Sequence, residues 1–231
     1  MRRVLVALAM LASAAGCAST GDPRDPLEGM NRGILVFNDA ADAVLLKPAA
    51  RAYKVVLPGP LQDMVRNFFT NLYDPWIGFN NLLQGKPLDA INDWMRFAVN
   101  STFGFFGVID VASQARLEKH DEDFGQTLAR WGVGNGPYIM LPLLGPSTTR
   151  DTVALPVDWV ADPVLTARPI AFRNSMTALR FVARRAELLD VSRTLEEAAL
   201  DRYVFLREAY FQRRRNLIYD GRPPRERPPV D

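Results

Sequence analysis

The chain has 231 residues, of which 48% are hydrophobic and 23% are charged, enough for one folded domain or two small ones. Removing Arg2 and Arg3 with a cleaved leader reduces the 28 basic residues to 26, equal to the 26 acidic residues. Nucleic-acid-binding domains carry a basic surplus. The composition therefore argues against nucleic acid as a partner.

The first 16 residues have the features of a cleavable export signal. Arg2 and Arg3 precede an uncharged apolar stretch, residues 4–12, and small residues occupy positions 14–16. This stretch is too short to cross a hydrocarbon core, which needs about 20 residues. We therefore expect residues 1–16 to be a leader that is removed after export.

Cys17 is the only cysteine and directly follows the small residues. This arrangement resembles the lipobox of bacterial lipoproteins, although Ala14 stands where leucine is usual. A lone cysteine in an exported chain cannot form an internal disulfide, which favours acylation over the alternative of an ordinary signal peptide and a free thiol. We predict diacylglycerol and an N-acyl chain on Cys17, and no other cofactor. In the sorting rule that this resemblance implies, an aspartate at position 18 would retain the protein in the inner membrane, so Ala18 indicates the outer membrane.

Three further parts follow the leader. Residues 17–26 contain the lipidated cysteine and a polar, proline-containing leash. Residues 27–220 form the predicted folded domain. Residues 221–231 are charged and rich in proline, so we expect a disordered tail.

Apolar residues recur with helical spacing throughout the domain, which predicts a mostly α fold. One stripe follows Pro60 and comprises Leu61, Met64, Val65, Phe68, Phe69 and Leu72. A second comprises Leu88, Ile91, Trp94, Met95, Ala98 and Val99, with Asp89, Asp93 and Arg96 on the opposite face. We expect both stripes to face the core. Two longer helices are predicted over Pro169–Asp190 and Thr194–Asn216, and a short extended piece within Val133–Leu144.

Three uncharged segments interrupt this pattern, at residues 75–83, 103–109 and 134–146. Each is rich in glycine, proline, aromatic and aliphatic residues, and none is long enough to span a bilayer. Two interpretations stay open. The segments are either buried turns or parts of an apolar face that sits in the membrane.

The sequence offers little catalytic chemistry, so we predict that the protein is not an enzyme. His120 is the only histidine and lies in a charged stretch, next to the acidic residues 121–123, that is typical of a solvated turn. Ser147 lacks the second glycine of a nucleophile elbow. It fits better as the N-cap of a following helix.

Blocks of residues across nearly the whole mature chain resemble the VacJ family of lipoproteins, also called MlaA. In chain order they are DPLEGMNR (25–32), NFFTNL (67–72), NNLLQGK (80–86), RFAVNSTFG (96–104), DFGQTL (123–128), WGVGNGPYIMLP (131–142), GPSTTRD (145–151), REAYFQRRR (207–215) and IYDG (218–221). Each block alone is modest, but the ordered set is highly specific.

The resemblance implies a single compact helical domain, ring-like around an amphipathic channel and lodged in the inner leaflet of the outer membrane, facing the periplasm. It implies partners: phospholipid, a trimeric porin and a soluble periplasmic lipid carrier. The implied role is removal of phospholipids that have strayed into the outer leaflet. A non-transporting adaptor that links a porin to a periplasmic partner stays open as an alternative.

Five residues are candidates for the lipid path. Phe37 and Asn38 follow the first family block, and Phe106 lies in an uncharged segment. Gly134 and Gly136 lie in the most glycine-dense loop, where a missing side chain either permits positive φ or leaves room for a ligand to pass.

Overall fold

The computed structural model describes residues 21–190 and 200–224. The predicted leader, Cys17 and residues 18–20 of the predicted leash, residues 191–199 with the start of the last predicted helix, and residues 225–231 of the tail lie outside these ranges. Most of the described chain is helical, which confirms the predicted fold class.

The first half of the chain forms long helices. Helix α1 (Glu28–Ala41) continues through a π-helical turn (Asp42–Leu46) into α2 (Lys47–Val56). Helix α3 (Gly59–Leu83) then packs along α4 (Pro87–Phe103). Both begin at or beside a proline, whose fixed φ suits the first helical turn.

The second half has shorter elements. Helices α5 (Val111–Gln114) and α6 (Phe124–Arg130) precede a hairpin of β1 (Tyr138–Leu141) and β2 (Gly145–Thr148). The strands are antiparallel, with Tyr138 opposite Thr148. The chain then forms α7 (Thr149–Ala161), α8 (Pro163–Thr166), α9 (Ile170–Glu187) and α10 (Arg202–Ile218).

Side-chain caps begin several of these short helices. Asp123 accepts from the backbone N–H of Gln126 at 2.8 Å at the start of α6. Thr148 accepts from the N–H of Asp151 at 3.3 Å at the start of α7. The predicted cap at Ser147 is therefore wrong by one position, because Ser147 is still part of β2.

Buried apolar residues form two small clusters. In one, Ala50 and Tyr53 of α2 pack against Ala183 and Ala186 of α9. In the other, Tyr138 and Met140 of β1 pack against Tyr203 of α10. Much of the remaining interior is polar.

The segment 75–83 is not a break in the fold. It continues α3 without interruption, with Pro75 inside the helix. Gly78 lies where a Cβ would come within 2.6 Å of the Trp94 ring nitrogen, so the glycine permits the close approach of α3 to α4. The indole N–H of Trp94 donates to the carbonyl of Pro75 at 3.2 Å.

Helix α4 has the opposite orientation to the one predicted. Its apolar stripe faces outward, with Leu88 78% exposed and Ile91 53% exposed. Asp93 and Arg96, expected on the outside, are buried. The helical period was identified correctly. The assumption that the apolar face meets the core was wrong, because an apolar environment outside the protein can accept that face as well.

Candidate functional site

A cavity of about 1400 Å³ lies among α3, α7, α8, α9 and the loop before α6. Aromatic and aliphatic side chains form part of its wall, including those of Phe69, Ile77, Leu155, Trp159 and Phe181. Charged side chains of both signs form the rest: Arg66, Lys119, Asp121, Glu122, Asp123, Asp158, Asp162, Arg173, Arg180, Arg184, Glu187 and Arg213. The cavity is therefore amphipathic.

The charges on α9 are positioned by its neighbours. Arg180 bonds through Nη1 to Oδ2 of Asp162 at 2.6 Å, and Asp162 itself caps α8. The guanidinium of Arg180 also lies over the ring of Phe69, 6.0 Å from its centroid. These contacts fix the approach of α9 to α3 and α8.

Asp158 occupies the cavity wall on α7. Its Oδ1 accepts from the indole N–H of Trp76 at 2.8 Å and from the backbone N–H of Phe124 at 3.0 Å. Burial raises its pKa to about 6. Tyr73 lines the same cavity, and burial together with the charge of Asp158 raises the pKa of its phenol.

A polar network runs behind the cavity between α3, α4 and the following loop. The Asn81 side chain donates to Oδ2 of Asp93 at 2.8 Å, and Nδ1 of His120 lies 2.8 Å from the other oxygen of that carboxylate. The hydrogen bond to Asp93 raises the pKa of His120. Asp74, also buried here, has a pKa raised by desolvation to about 7.

A second network joins α10 to α6 and α7. Nη2 of Arg214 donates to Asp123 at 2.7 Å and to Asp151 at 2.9 Å. Tyr210 donates its hydroxyl to the other oxygen of Asp151. Gly125 leaves the space for this arrangement, because a Cβ there would lie 2.4 Å from Nη2 of Arg214.

A third network ties the N-terminal segment to α10. Arg207 donates to Oδ2 of Asp25 at 3.0 Å and also lies 3.1 Å from Oδ2 of Asp22. Neighbouring Arg24 lowers the pKa of Asp22 to about 2. Ordered contacts thus begin inside the predicted leash, before the expected domain boundary at Leu27.

The outer surface is rich in exposed apolar side chains. In the segment 103–109, Phe103, Phe105 and Phe106 are all more than 70% exposed. The buried-turn interpretation is therefore wrong for these three side chains. Further exposed residues on α1, the π-helical turn, α4 and the hairpin include Val36, Val44, Leu45, Leu88, Ile91 and Leu143. Exposed apolar side chains that gather on one surface are typical of membrane or partner contact.

None of the five predicted path residues is among the side chains that line the cavity. Phe37 and Phe106 are exposed, and Asn38 braces the hairpin by accepting from the backbone N–H of Leu143 at 2.7 Å. Gly136 has φ +64°, whereas Gly134 has open space around it. Their part in a lipid path stays a prediction.

The acidic stretch before α6 is more ordered than predicted. Glu122 is buried and lies 3.2 Å from Nζ of Lys86, and Asp123 caps α6. His120 is engaged by Asp93, whereas the hydroxyl of Ser147 lies 3.0 Å from that of Thr152. No hydrogen bond joins Ser147 to His120 among the described residues.

The described part of the chain contains no helix that combines the length and the hydropathy needed to cross a membrane. Nor do those residues include a group of three or more His, Cys, Asp or Glu side chains arranged to hold a metal ion.

The sequence analysis did not identify Asp158, Tyr73 and Arg173 as residues of the candidate site. One signal was available for Asp158, which is the only charged residue in an otherwise apolar run over residues 153–161. A lone carboxylate in such a run is costly to bury and often has a specific task. Tyr73 and Arg173 have no comparable local signal, because only the packing of α9 against α3 brings them to one cavity.

A polar interior, many exposed apolar side chains and an amphipathic cavity are together typical of a helical protein that contacts lipid or an apolar partner. The family model described as MlaA lipoprotein matches residues 23–217. The chain therefore belongs to the MlaA lipoprotein family, as its sequence blocks indicate.

Individual relatives support this membership. The chain is 37% identical over 224 residues to the intermembrane phospholipid transport system lipoproteins MlaA of Shigella flexneri and Escherichia coli, covering 92% of this chain and 88% of each relative. The Haemophilus influenzae MlaA is 30% identical over 239 residues, covering 96% of this chain and 92% of the relative. A structure solved to explain maintenance of bacterial outer membrane lipid asymmetry matches with TM-score 0.70 and 34% identity, covering 84% of this chain and 98% of that one.

Proposed function

We propose that this protein takes phospholipids that have strayed into the outer leaflet of the outer membrane and passes them to a soluble periplasmic carrier. The single observation that carries the proposal is the amphipathic cavity of about 1400 Å³. A phospholipid moving between leaflets needs a polar path for its headgroup, because charge is costly in hydrocarbon. It also needs apolar cover for its chains on the way to the periplasm.

The reaction is transport, with no covalent bond made or broken. Acyl chains on Cys17 hold the protein in the inner leaflet, and the exposed apolar faces of α4 and of segment 103–109 extend into the lipid. A trimeric porin is the proposed neighbour in the membrane. The periplasmic carrier is the proposed acceptor.

Filling the cavity tests this function. In cells that depend on this protein, Thr177→Trp should let phospholipid accumulate in the outer leaflet. An amine-reactive reagent that cannot cross the membrane measures the headgroup amines exposed there. Thr177 lines the cavity, whereas its neighbour Ala178 on the same helix is exposed and does not. Ala178→Trp is therefore the matched control and should cause no accumulation of phospholipid in the outer leaflet.

The adaptor alternative predicts a different result. An adaptor needs its surfaces but no passage, so a folded and abundant Thr177→Trp protein would keep lipid asymmetry intact. That outcome would remove the transport proposal and leave the adaptor.

The anchor is tested separately. Cys17→Ser should release the protein from the membrane fraction or leave the precursor uncut, and the mass of the wild-type protein should show a chain that starts at Cys17 with added acyl mass. Unmodified Cys17 on a stably membrane-bound mature chain would contradict this assignment.

A further inference from the structure

The carboxylates that line the cavity are nearly all paired with cations of the protein itself. Within the described residues, five of the six have a basic side chain within 4.0 Å. The pairs are Asp121–Arg213 at 3.2 Å, Glu122–Lys86 at 3.2 Å, Asp123–Arg214 at 2.7 Å, Asp162–Arg180 at 2.6 Å and Glu187–Arg184 at 3.8 Å.

Asp158 is the exception. It is 8% exposed, and its Oδ1 is held by the neutral donors Trp76 and Phe124. Its Oδ2 has no hydrogen-bond partner, and no basic side chain lies within 4.0 Å, in the part of the chain that the structure describes. A buried charge without a partner is costly. Asp158 therefore presents one free carboxylate oxygen in the cavity wall.

The surroundings of Asp158 suit a cation. Its pKa of about 6 leaves the carboxylate ionised at neutral pH. The aromatic ring of Tyr73 lies in the same cavity wall, and the charge of Asp158 acts on its phenol. Aromatic faces attract ammonium groups, and a nearby carboxylate adds to that attraction.

Two basic side chains that line the cavity also lack a carboxylate partner. Neither Arg173 nor Lys119 has an acidic side chain within 4.0 Å among the described residues. Arg173 uses only its Nε, which donates to the side chain of Asn174 at 3.3 Å. Its two terminal nitrogens are therefore available, and a guanidinium pairs with a phosphate through two parallel hydrogen bonds.

We infer that the cavity selects phospholipids with a zwitterionic headgroup, in which Asp158 binds the headgroup ammonium and Arg173 binds the phosphate. The inference rests on the proposed function, since it assigns the headgroup class that the same cavity admits. A headgroup with phosphate but no ammonium satisfies Arg173 and leaves the buried charge of Asp158 unpaired. The cavity thereby disfavours purely anionic lipids.

A competition experiment tests this selectivity. The protein in detergent is incubated with mixed micelles that contain equal amounts of phosphatidylethanolamine and phosphatidylglycerol, then re-isolated, and its bound lipids are quantified by mass spectrometry. The wild type should enrich phosphatidylethanolamine about tenfold, the effect of one charge-assisted hydrogen bond.

Variants separate the two assigned contacts. Asp158→Asn keeps an oxygen for Trp76 and Phe124 but removes the charge, so the bound ratio should fall to the input ratio. Asp158→Glu should preserve the enrichment, and Arg173→Gln should lower the binding of both lipids. Glu118→Gln makes the same charge change at an exposed residue outside the cavity and should change nothing.

The outcomes are distinct. Bound lipid at the input ratio in the wild type overturns the headgroup inference and leaves the lipid passage standing. An Asp158→Asn protein that folds and still prefers phosphatidylethanolamine also overturns the headgroup inference. No bound lipid of either class overturns the proposed function itself. Because the wild-type ratio is informative alone, the test stands even where a variant fails to fold.

Discussion

Arg207 of α10 donates a hydrogen bond of 3.0 Å to Asp25, although 182 residues separate the two in sequence. Asn31 donates to the other oxygen of Asp25 at 2.9 Å, and Tyr203 donates to the same oxygen as Arg207. Asp25 and Arg207 are both buried. The pair holds the first described residues against α10.

Replacing Arg207 should therefore be among the most damaging single changes. Arg207→Ala leaves the buried carboxylate of Asp25 without its cation, which typically costs about 3–5 kcal/mol. Arg202 is the control, because its pair with Asp39 is exposed and worth at most about 1 kcal/mol. Unfolding in denaturant measures both free energies, and equal losses would show that the buried pair is not special.

The exposed segment 103–109 should contact lipid. Phe106 is 72% exposed, so Phe106→Asp should not unfold the protein, but a charge placed in hydrocarbon costs about 2.5–3.5 kcal/mol. Detergent should release the acylated Phe106→Asp protein from vesicles at a lower concentration than it releases the acylated wild type. Gln114→Asp, at an exposed polar position, is the control. Equal extraction of Phe106→Asp and Gln114→Asp would place this segment outside the membrane.

Asp74 should make stability depend on pH near neutrality. Burial raises its pKa from 3.8 to about 7. The folded state binds the proton of Asp74 more tightly than the unfolded state does. The resulting contribution of Asp74 to the free energy of unfolding is fully present below pH 3.8 and is lost as pH rises through 7. The loss amounts to a few kcal/mol, of which the larger part falls above pH 5.

Asp74→Asn should remove this dependence. The thermal unfolding midpoint of the wild type in detergent should fall between pH 6 and pH 8, whereas that of the variant should change less. A wild type and a variant with parallel pH profiles would contradict the assignment to Asp74.

The two loop glycines should differ in tolerance. Gly136 has φ +64°, and a Cβ there would lie 3.0 Å from Cβ of Thr149, so Gly136→Ala should destabilise the protein by about 1–2 kcal/mol. Gly134 has open space and no positive φ, so Gly134→Ala should be neutral. Thermal midpoints compare the two. If Gly134→Trp folds normally and still lets phospholipid accumulate, Gly134 belongs to the lipid path.

Helical spacing identified the elements well, because the period of a helix is written in neighbouring residues. The stripe from Leu88 to Val99 predicted α4, and the stripe from Leu61 to Leu72 predicted the first half of α3. The orientation of α4 could not be predicted in the same way. Hydrophobic periodicity reports that two faces differ, but it does not report whether the apolar face meets a core or lipid.

The residues that line the cavity could not be predicted from local sequence patterns, for a related reason. Asp158 lies on α7, Tyr73 on α3 and Arg173 on α9, so only tertiary packing brings them together. Long-range pairs such as Arg207 and Asp25 leave no periodic trace either. Family resemblance supplied the expectation of an amphipathic passage, and it did so without naming the residues that form this cavity.

The contact between Asp22 and Arg207 limits how far the folded domain can lie from the lipid anchor. Five residue steps separate Cys17 from Asp22, and an extended chain covers roughly 17 Å in that number. With Cys17 acylated, the contact between Asp22 and Arg207 stays within about this distance of the bilayer surface. In the proposed transport the protein then remains at the membrane, so the acceptor has to come there to collect the lipid.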